Sequence, residues 1–283
     1  MTEHTEQMNT ENVEQEVGHE ITLYAEPIFH VGNFKITNSL MTSWVAVAIL
    51  VIFFYLIGKK IKKIPDKIQN TFEVLLEKAL ELADNITGSR KKSEKFLPIA
   101  LTLFLFILIN NWLGLVPGVG TIGYNEVNGT HSVFVPMFRG GTADINTTLA
   151  LAIFSILASH VFGIFAIGGW NYLNKYINFK ALGEIPKKIR KDFFIVLINP
   201  VKAFVGLVEI IGEVAKTASL TFRLFGNIFA GEVLLISMMA IFAYILPLPF
   251  IFLEIVIGLI QALIFAMLTL VYFSVATENH DEH

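Results

Sequence analysis

Five stretches of this chain are apolar over lengths that few environments other than lipid can accept. A helix needs about 20 residues to cross a hydrocarbon core of about 30 Å. The runs Leu40–Gly58, Phe96–Val116, Thr147–Gly169, Phe193–Ala230 and Val233–Ala276 have about that length or more. Composition agrees: 54% of the residues are hydrophobic and 16% charged, whereas a soluble domain carries nearer a quarter charged residues. The expected fold class is therefore an all-α integral membrane protein of about five spans. The last two runs exceed an upright span, which implies a long, tilted C-terminal helical hairpin. Its joining turn is expected at Leu246–Pro249, where two prolines interrupt the apolar pattern.

The remainder divides into two parts. Residues 1–39 carry seven Glu and one base, Lys35, and read as an extended, acidic, partly disordered segment. That is the reverse of a basic leader before an apolar core, so Leu40–Gly58 is expected to be a retained span. Residues 40–283 read as a single transmembrane domain. Between the first two spans, Ile68, Phe72, Leu75, Leu76, Ala79, Leu80 and Ala83 recur at helical spacing among charges. This pattern predicts an amphipathic helix over 66–84 lying on the membrane surface.

Loop charge sets the orientation. Segment 59–95 holds ten Lys/Arg and segment 170–192 holds six, whereas 118–146 holds only Arg139. The positive-inside rule puts the first two in the cytoplasm, with the N-terminus outside and the C-terminus inside. No cysteine is present, so thiolate chemistry and Cys-ligated metal are excluded. Three Asn-x-Ser/Thr triplets are too short a pattern to carry weight. No internal repeat is visible, which weighs against inverted-repeat transporters.

The charges at membrane depth are the functional signal, because each costs about 3 kcal/mol on insertion scales. Arg223 lies well inside an apolar run and cannot shed its proton. Its neighbours three and four residues away are Ser219, Leu220, Gly226 and Asn227, none acidic. It must therefore meet another helix, water or another chain. Glu209, Glu213, Lys216, Ser219, Arg223 and Asn227 keep to one helical face over about five turns, and Glu213 can pair with Lys216 locally. Glu232 lies about two and a half turns beyond Arg223, on the opposite face. Glu254, Gly258 and Gln261 form a second polar stripe on the last span.

Each of these residues has a plainer reading. Asn110, Asn111 and His160 fit inter-helix hydrogen bonds. Glu209 and Lys202 can lie near the surface or snorkel. Arg223 could bridge to Glu232 or Glu254, and Gly226, Ala230, Gly231 and Gly258 could simply allow close packing. The plain readings explain poorly why so many of these residues fall in one hairpin.

The block Arg223-Leu224-Phe225-Gly226-Asn227, followed by Ala230-Gly231-Glu232, resembles the signature of the a subunit (subunit 6) of bacterial F-type rotary ATP synthases. Glu209, Lys216, Ser219-Leu220, Gln261-Ala262, Asp144 and Asn146 extend the resemblance over nearly the whole chain. It implies a stator subunit of the proton path, with no catalytic residue, cofactor or metal of its own, in the bacterial plasma (inner) membrane. Its implied partners are a ring of c subunits, the b-subunit stalk and, indirectly, the F1 sector; none is a nucleic acid. In such a protein Arg223 faces the ring carboxylates between two offset half-channels. Asn227, Glu232, Glu254 and Gln261 line the path or support Arg223, with Glu232 and Glu254 as relay groups in the outer half. Glu209, Lys216 and Ser219 support the path, and Asp144 and Asn146 sit near its outer mouth.

Two positions depart from the family pattern. Many bacterial members carry His where Glu254 stands, and some carry an acid where Gly114 stands. Rival classes are a free-standing transporter or channel, with Arg223 binding an anion, and a membrane hydrolase. The first predicts repeats or broken helices. The second lacks a nucleophile set within one leaflet. No Gly-x-x-x-x-Gly-Lys-Ser/Thr loop exists for phosphate chemistry.

Overall fold

A computed structural model describes residues 22–59, 61–62, 65–128, 131–176, 194–242 and 245–278. The acidic stretch 1–21, the basic residues Lys60, Lys63, Lys180, Lys187, Lys188, Arg190 and Lys191, and the side chains of Ile68, Lys175 and Lys202 lie outside that description.

The first elements of the described residues are an antiparallel hairpin of β1 (Pro27–Val31) and β2 (Phe34–Thr37). This corrects the expectation of an extended segment through residue 39. Val31 pairs with Phe34 across the two-residue turn Gly32-Asn33, and Gly32 takes φ 61. A tight hairpin needs a left-handed residue there, and glycine supplies it without steric cost.

Helix α1 (Asn38–Gly58) starts at Thr37, whose hydroxyl accepts from the Leu40 N–H. Its first turns bury Asn38, Ser39, Thr42 and Ser43, while most of its apolar length is exposed, as suits a helix against lipid. The surface helix α2 (Lys67–Thr87) ends at Gly88, which has φ 67, the usual left-handed stop. Ala83 is fully buried and Leu75 is exposed; α2 rests on α3 and α7 along one edge. Helix α3 (Arg90–Gly114) begins six residues before the apolar run, because the turn Arg90–Lys95 continues the helix beyond the apolar segment.

Pro117 ends that span. Beyond it lie β3 (Pro117–Gly120), and a hairpin of β4 (Gly123–Asn128) and β5 (His131–Pro136). A 3-10 turn at Gly141–Ala143 leads into α4 (Ile145–Ile167), which is followed by the short α5 (Gly169–Tyr176).

The closing pair is α6 (Phe194–Ile241) and α7 (Pro247–Ala276). The hydropathy boundary at 230–233 is corrected: α6 runs unbroken through Gly231-Glu232. Those two residues serve packing and pairing to neighbouring segments and do not mark a break. The hairpin turns where the prolines stand, and Pro247 opens α7, a position that needs no N–H donor. Helix α7 packs on α3, α4 and α6. Its core joins Leu103, Ile107, Ala152, Leu220, Leu224, Ala262 and Phe265. Phe96, Phe162 and Phe273 form a second cluster, with ring centroids 4.9–5.6 Å apart.

Among the described residues, five helices are long and apolar enough to cross a membrane: α1, α3, α4, α6 over Val208–Ile241, and α7. The protein is an all-α membrane protein whose described residues add one small hairpin before α1 and another between α3 and α4.

Candidate functional site

The two faces of α6 differ in chemistry. One face exposes Ser219, Phe222, Arg223 and Asn227. The Arg223 Nη2 donates to Ser219 Oγ at 3.4 Å, one turn back, and no carboxylate pairs with Arg223 among the described residues. Neither Glu232 nor Glu254 bridges to it. One turn further on, the Asn227 amide donates to Gln261 Oε1 of α7 at 2.8 Å, and Gln261 is buried. The exposed cation is thus flanked by a polar cross-tie between the last two helices.

The same face continues toward the start of α6. Lys216 pairs with Glu213 at 2.7 Å, as the spacing implies, and its Nζ lies 5.7 Å from the Tyr272 ring centroid. Glu209 is half-buried on the turn before.

On the other side of α6 lies a cavity of about 370 Å³. Glu232, Glu254, Arg139 and Asn111 line it, with Gly114 and Ile228. Glu232 is gripped by Arg139: Nε donates to Oε1 at 3.0 Å and Nη2 to Oε2 at 2.8 Å. Such two-pronged pairing fixes a carboxylate in orientation as well as in charge. The Arg139 guanidinium also lies 5.9 Å from the Phe229 ring centroid, and its side chain is only 6% exposed.

Glu254 is buried at 5% exposure. It makes no hydrogen bond or ion pair among the described residues. A β-carbon at Gly231 would collide with its carboxyl, so the glycine provides the space in which that group sits. Two carboxyls of different character therefore share one cavity: Glu232 is matched by a cation, and Glu254 is left facing the void.

Asp144 and Asn146 do not line this cavity. Asp144 caps α4, accepting from Asn146 N–H at 3.2 Å and from Thr147 Oγ1 at 3.1 Å, while Asn146 Nδ2 reaches it at 3.4 Å. Its neighbour Ala143 is in the cavity wall, which places the cap beside the site.

The uncharged candidates take the plainer roles. Ser43 Oγ of α1 donates to Asn110 Oδ1 at 3.1 Å. Asn111 donates to the Gly258 carbonyl at 3.0 Å and accepts from Thr142 Oγ1. His160 Nδ1 meets the Tyr172 hydroxyl at 2.7 Å. Gly114 approaches Gly140 so closely that a β-carbon would stand 3.0 Å from the Gly140 Cα, which leaves no room for an acid at 114 without movement of the loop.

Arg139 is the residue that sequence reasoning passed over as a candidate. Its signal was its isolation: a single base in the 118–146 segment, beside Gly140-Gly141. No cluster of three or more His, Asp or Glu that could hold a metal occurs among the described residues.

The sequence profile of the ATP synthase A chain family matches residues 40–274. ATP synthase subunit a of Syntrophobacter fumaroxidans is 32% identical over 250 residues, 88% of this chain and 87% of that protein. ATP synthase subunit a of Mycobacterium ulcerans is 34% identical over 86% of this chain and 88% of that protein. The corresponding subunit of Moorella thermoacetica is 29% identical over 89% of this chain and 96% of that protein.

Proposed function

The chain belongs to the ATP synthase A chain family, and we propose that it is the non-catalytic stator of the proton path, with Arg223 facing a ring of c subunits. In this reading the cavity bounded by Glu232 and Glu254 is the outer half-channel, and an inner half-channel reaches the cytoplasm on the other side of Arg223. The protein sits in the bacterial plasma membrane with its N-terminus outside and its C-terminus in the cytoplasm. It is held there with the b-subunit stalk and reaches the F1 sector indirectly.

The observation that carries the reading is the unmatched exposure of Arg223. A guanidinium cannot lose its charge, and a cation left toward lipid is costly. A ring carboxylate passing the Ser219–Asn227 face would supply the missing counter-charge, one subunit at a time. Beside a fixed cation a carboxylate is favoured in its ionised form, whereas facing lipid only its neutral form is tolerable. Each ring site therefore gives up its proton at Arg223 and must take another before it leaves. The same fixed charge repels a proton moving directly between the half-channels. Rotation draws on the membrane potential, about 2.3 kcal/mol per charge per 100 mV, together with the proton gradient.

Arg223→Ala in the assembled enzyme tests this. ATP-driven proton pumping into inverted vesicles should vanish while the soluble sector still hydrolyses ATP. Pumping at the unsubstituted rate would remove the basis of the assignment.

A further inference from the structure

Arg139 is held by more than Glu232. Its Nη2 donates to the main-chain carbonyl of Thr22 at 2.9 Å, and its Nη1 reaches the Tyr24 carbonyl at 3.3 Å and Thr22 Oγ1 at 3.4 Å. Three residues from Thr22, the Ala25 N–H donates to Asp144 Oδ1 at 3.3 Å. The Glu26 carbonyl then accepts from the N–H of Asn38 at the start of α1, and the Asn38 amide donates to the Pro136 carbonyl at 3.2 Å. A segment more than a hundred residues away in sequence thus closes over the loop that carries the cation.

We propose that the segment Thr22–Glu26 is a working part of the outer ion path, clamping Arg139 against Glu232 through its main-chain carbonyls. This deepens the reading of the cavity as the outer half-channel and rests on it. The argument is geometric. Arg139 directs its donors to two places, the Glu232 carboxylate on one side and the Thr22–Tyr24 backbone on the other. A guanidinium is a planar fork, so fixing one edge fixes the direction of the other. Without the backbone acceptors the buried guanidinium would have to turn toward water or fold onto Glu232 alone, and Glu232 would lose its set position at the cavity wall. A charge buried in this way tolerates loss of partners poorly. The contact of Ala25 with Asp144 adds a second anchor, so the segment spans the β5–α4 connection from Arg139 to the α4 cap. Thr22, Tyr24 and Ala25 are positioning residues, since they touch the group that holds the relay carboxyl and not the relay itself.

The test uses the whole enzyme in vesicles, with ATP synthesis driven by an imposed proton gradient and scaled to the amount of assembled complex. A chain lacking residues 1–20 keeps the clamp and should stay within about twofold of the full chain. A chain lacking residues 1–25 loses several charge-assisted bonds and should fall by about fivefold or more. Arg139→Lys, which keeps the charge but not the fork, should also slow synthesis. Combined with the longer deletion, it should add little, because both changes act through one group.

Full activity in the chain lacking 1–25, or losses that multiply when combined with Arg139→Lys, would overturn the proposal. If the shortened complex does not assemble, Ala25→Pro in the full chain removes the donor to Asp144 and should lower synthesis by about threefold; no effect there would equally count against the clamp. Arg223→Ala run in parallel separates the two levels. Synthesis surviving that change would sink the ion-path reading itself, whereas an inert deletion beside a dead Arg223→Ala would sink only the clamp.

Discussion

Gly231 on α6 makes the space that the Glu254 carboxyl of α7 fills, and a β-carbon at 231 would overlap that carboxyl. The pairing of an absent side chain with a buried acid explains why a glycine stands in the middle of a long helix, where it costs about 1 kcal/mol relative to alanine. It also makes position 231 a direct probe of the cavity.

Gly231→Leu should force Glu254 out of place. Overpacking of a filled site costs about 1–3 kcal/mol, so ATP-driven pumping per assembled complex should fall about tenfold. Quinacrine-type fluorescence quenching in vesicles reads this directly. Unchanged pumping would mean that Glu254 occupies a different position.

The Asn227–Gln261 bond links α6 to α7 beside Arg223. An inter-helix hydrogen bond in a membrane is worth about 0.6 kcal/mol on average, so Asn227→Ala and Gln261→Ala should each slow pumping about threefold. The double variant should be no slower than the slower single one, since both remove one bond. A fourfold set of vesicle preparations checks this, and multiplying losses would show that the two residues act separately.

His160 should matter for stability and not for flux. His160→Phe removes the bond to Tyr172, at a cost of about 1 kcal/mol, and heating the detergent-solubilised complex should reveal it. Pumping per intact complex should be unaltered. A selective loss of pumping would instead place His160 on the ion path.

Gly114 and Gly140 meet backbone to backbone, so Gly114→Leu should displace the loop that carries Arg139. A reduction in synthesis of about tenfold is expected, with the complex still assembled. Gly140 is the nearest obstacle to a β-carbon at 114, and a neutral outcome would mean that the loop yields without moving its cation.

Hydropathy read the spans well because solvation by lipid acts on whole segments. The i, i+3, i+4 pattern marks α2, and the polar stripe puts Ser219, Arg223 and Asn227 on one face. What escaped lies at contacts between distant segments. Arg139 looked like a lone loop base because its partners, Glu232 and the Thr22–Tyr24 backbone, are about a hundred residues away in either direction. The sequence also gives no sign that Asp144 caps α4 and accepts from the distant Ala25 N–H. The apolar runs part at Gly231-Glu232 within an unbroken helix, because local hydropathy cannot reveal that one residue makes room for an acid and the next meets a cation. The hairpin at 27–37 was legible in Val31-Gly32-Asn33-Phe34, but the acidic stretch before it drew the reading toward disorder.

Asn111 ties three elements at a single amide: it donates to the Gly258 carbonyl of α7, accepts from Thr142 in the 3-10 turn, and stands on α3. In the proposed stator role, the chain would have to withstand drag from the ring beside it. Sideways force on the final hairpin would pass through this crosspiece into α3 and the 3-10 turn, so the frame would resist shear as a braced truss does and, on that reading, hold constant the gap to the ring.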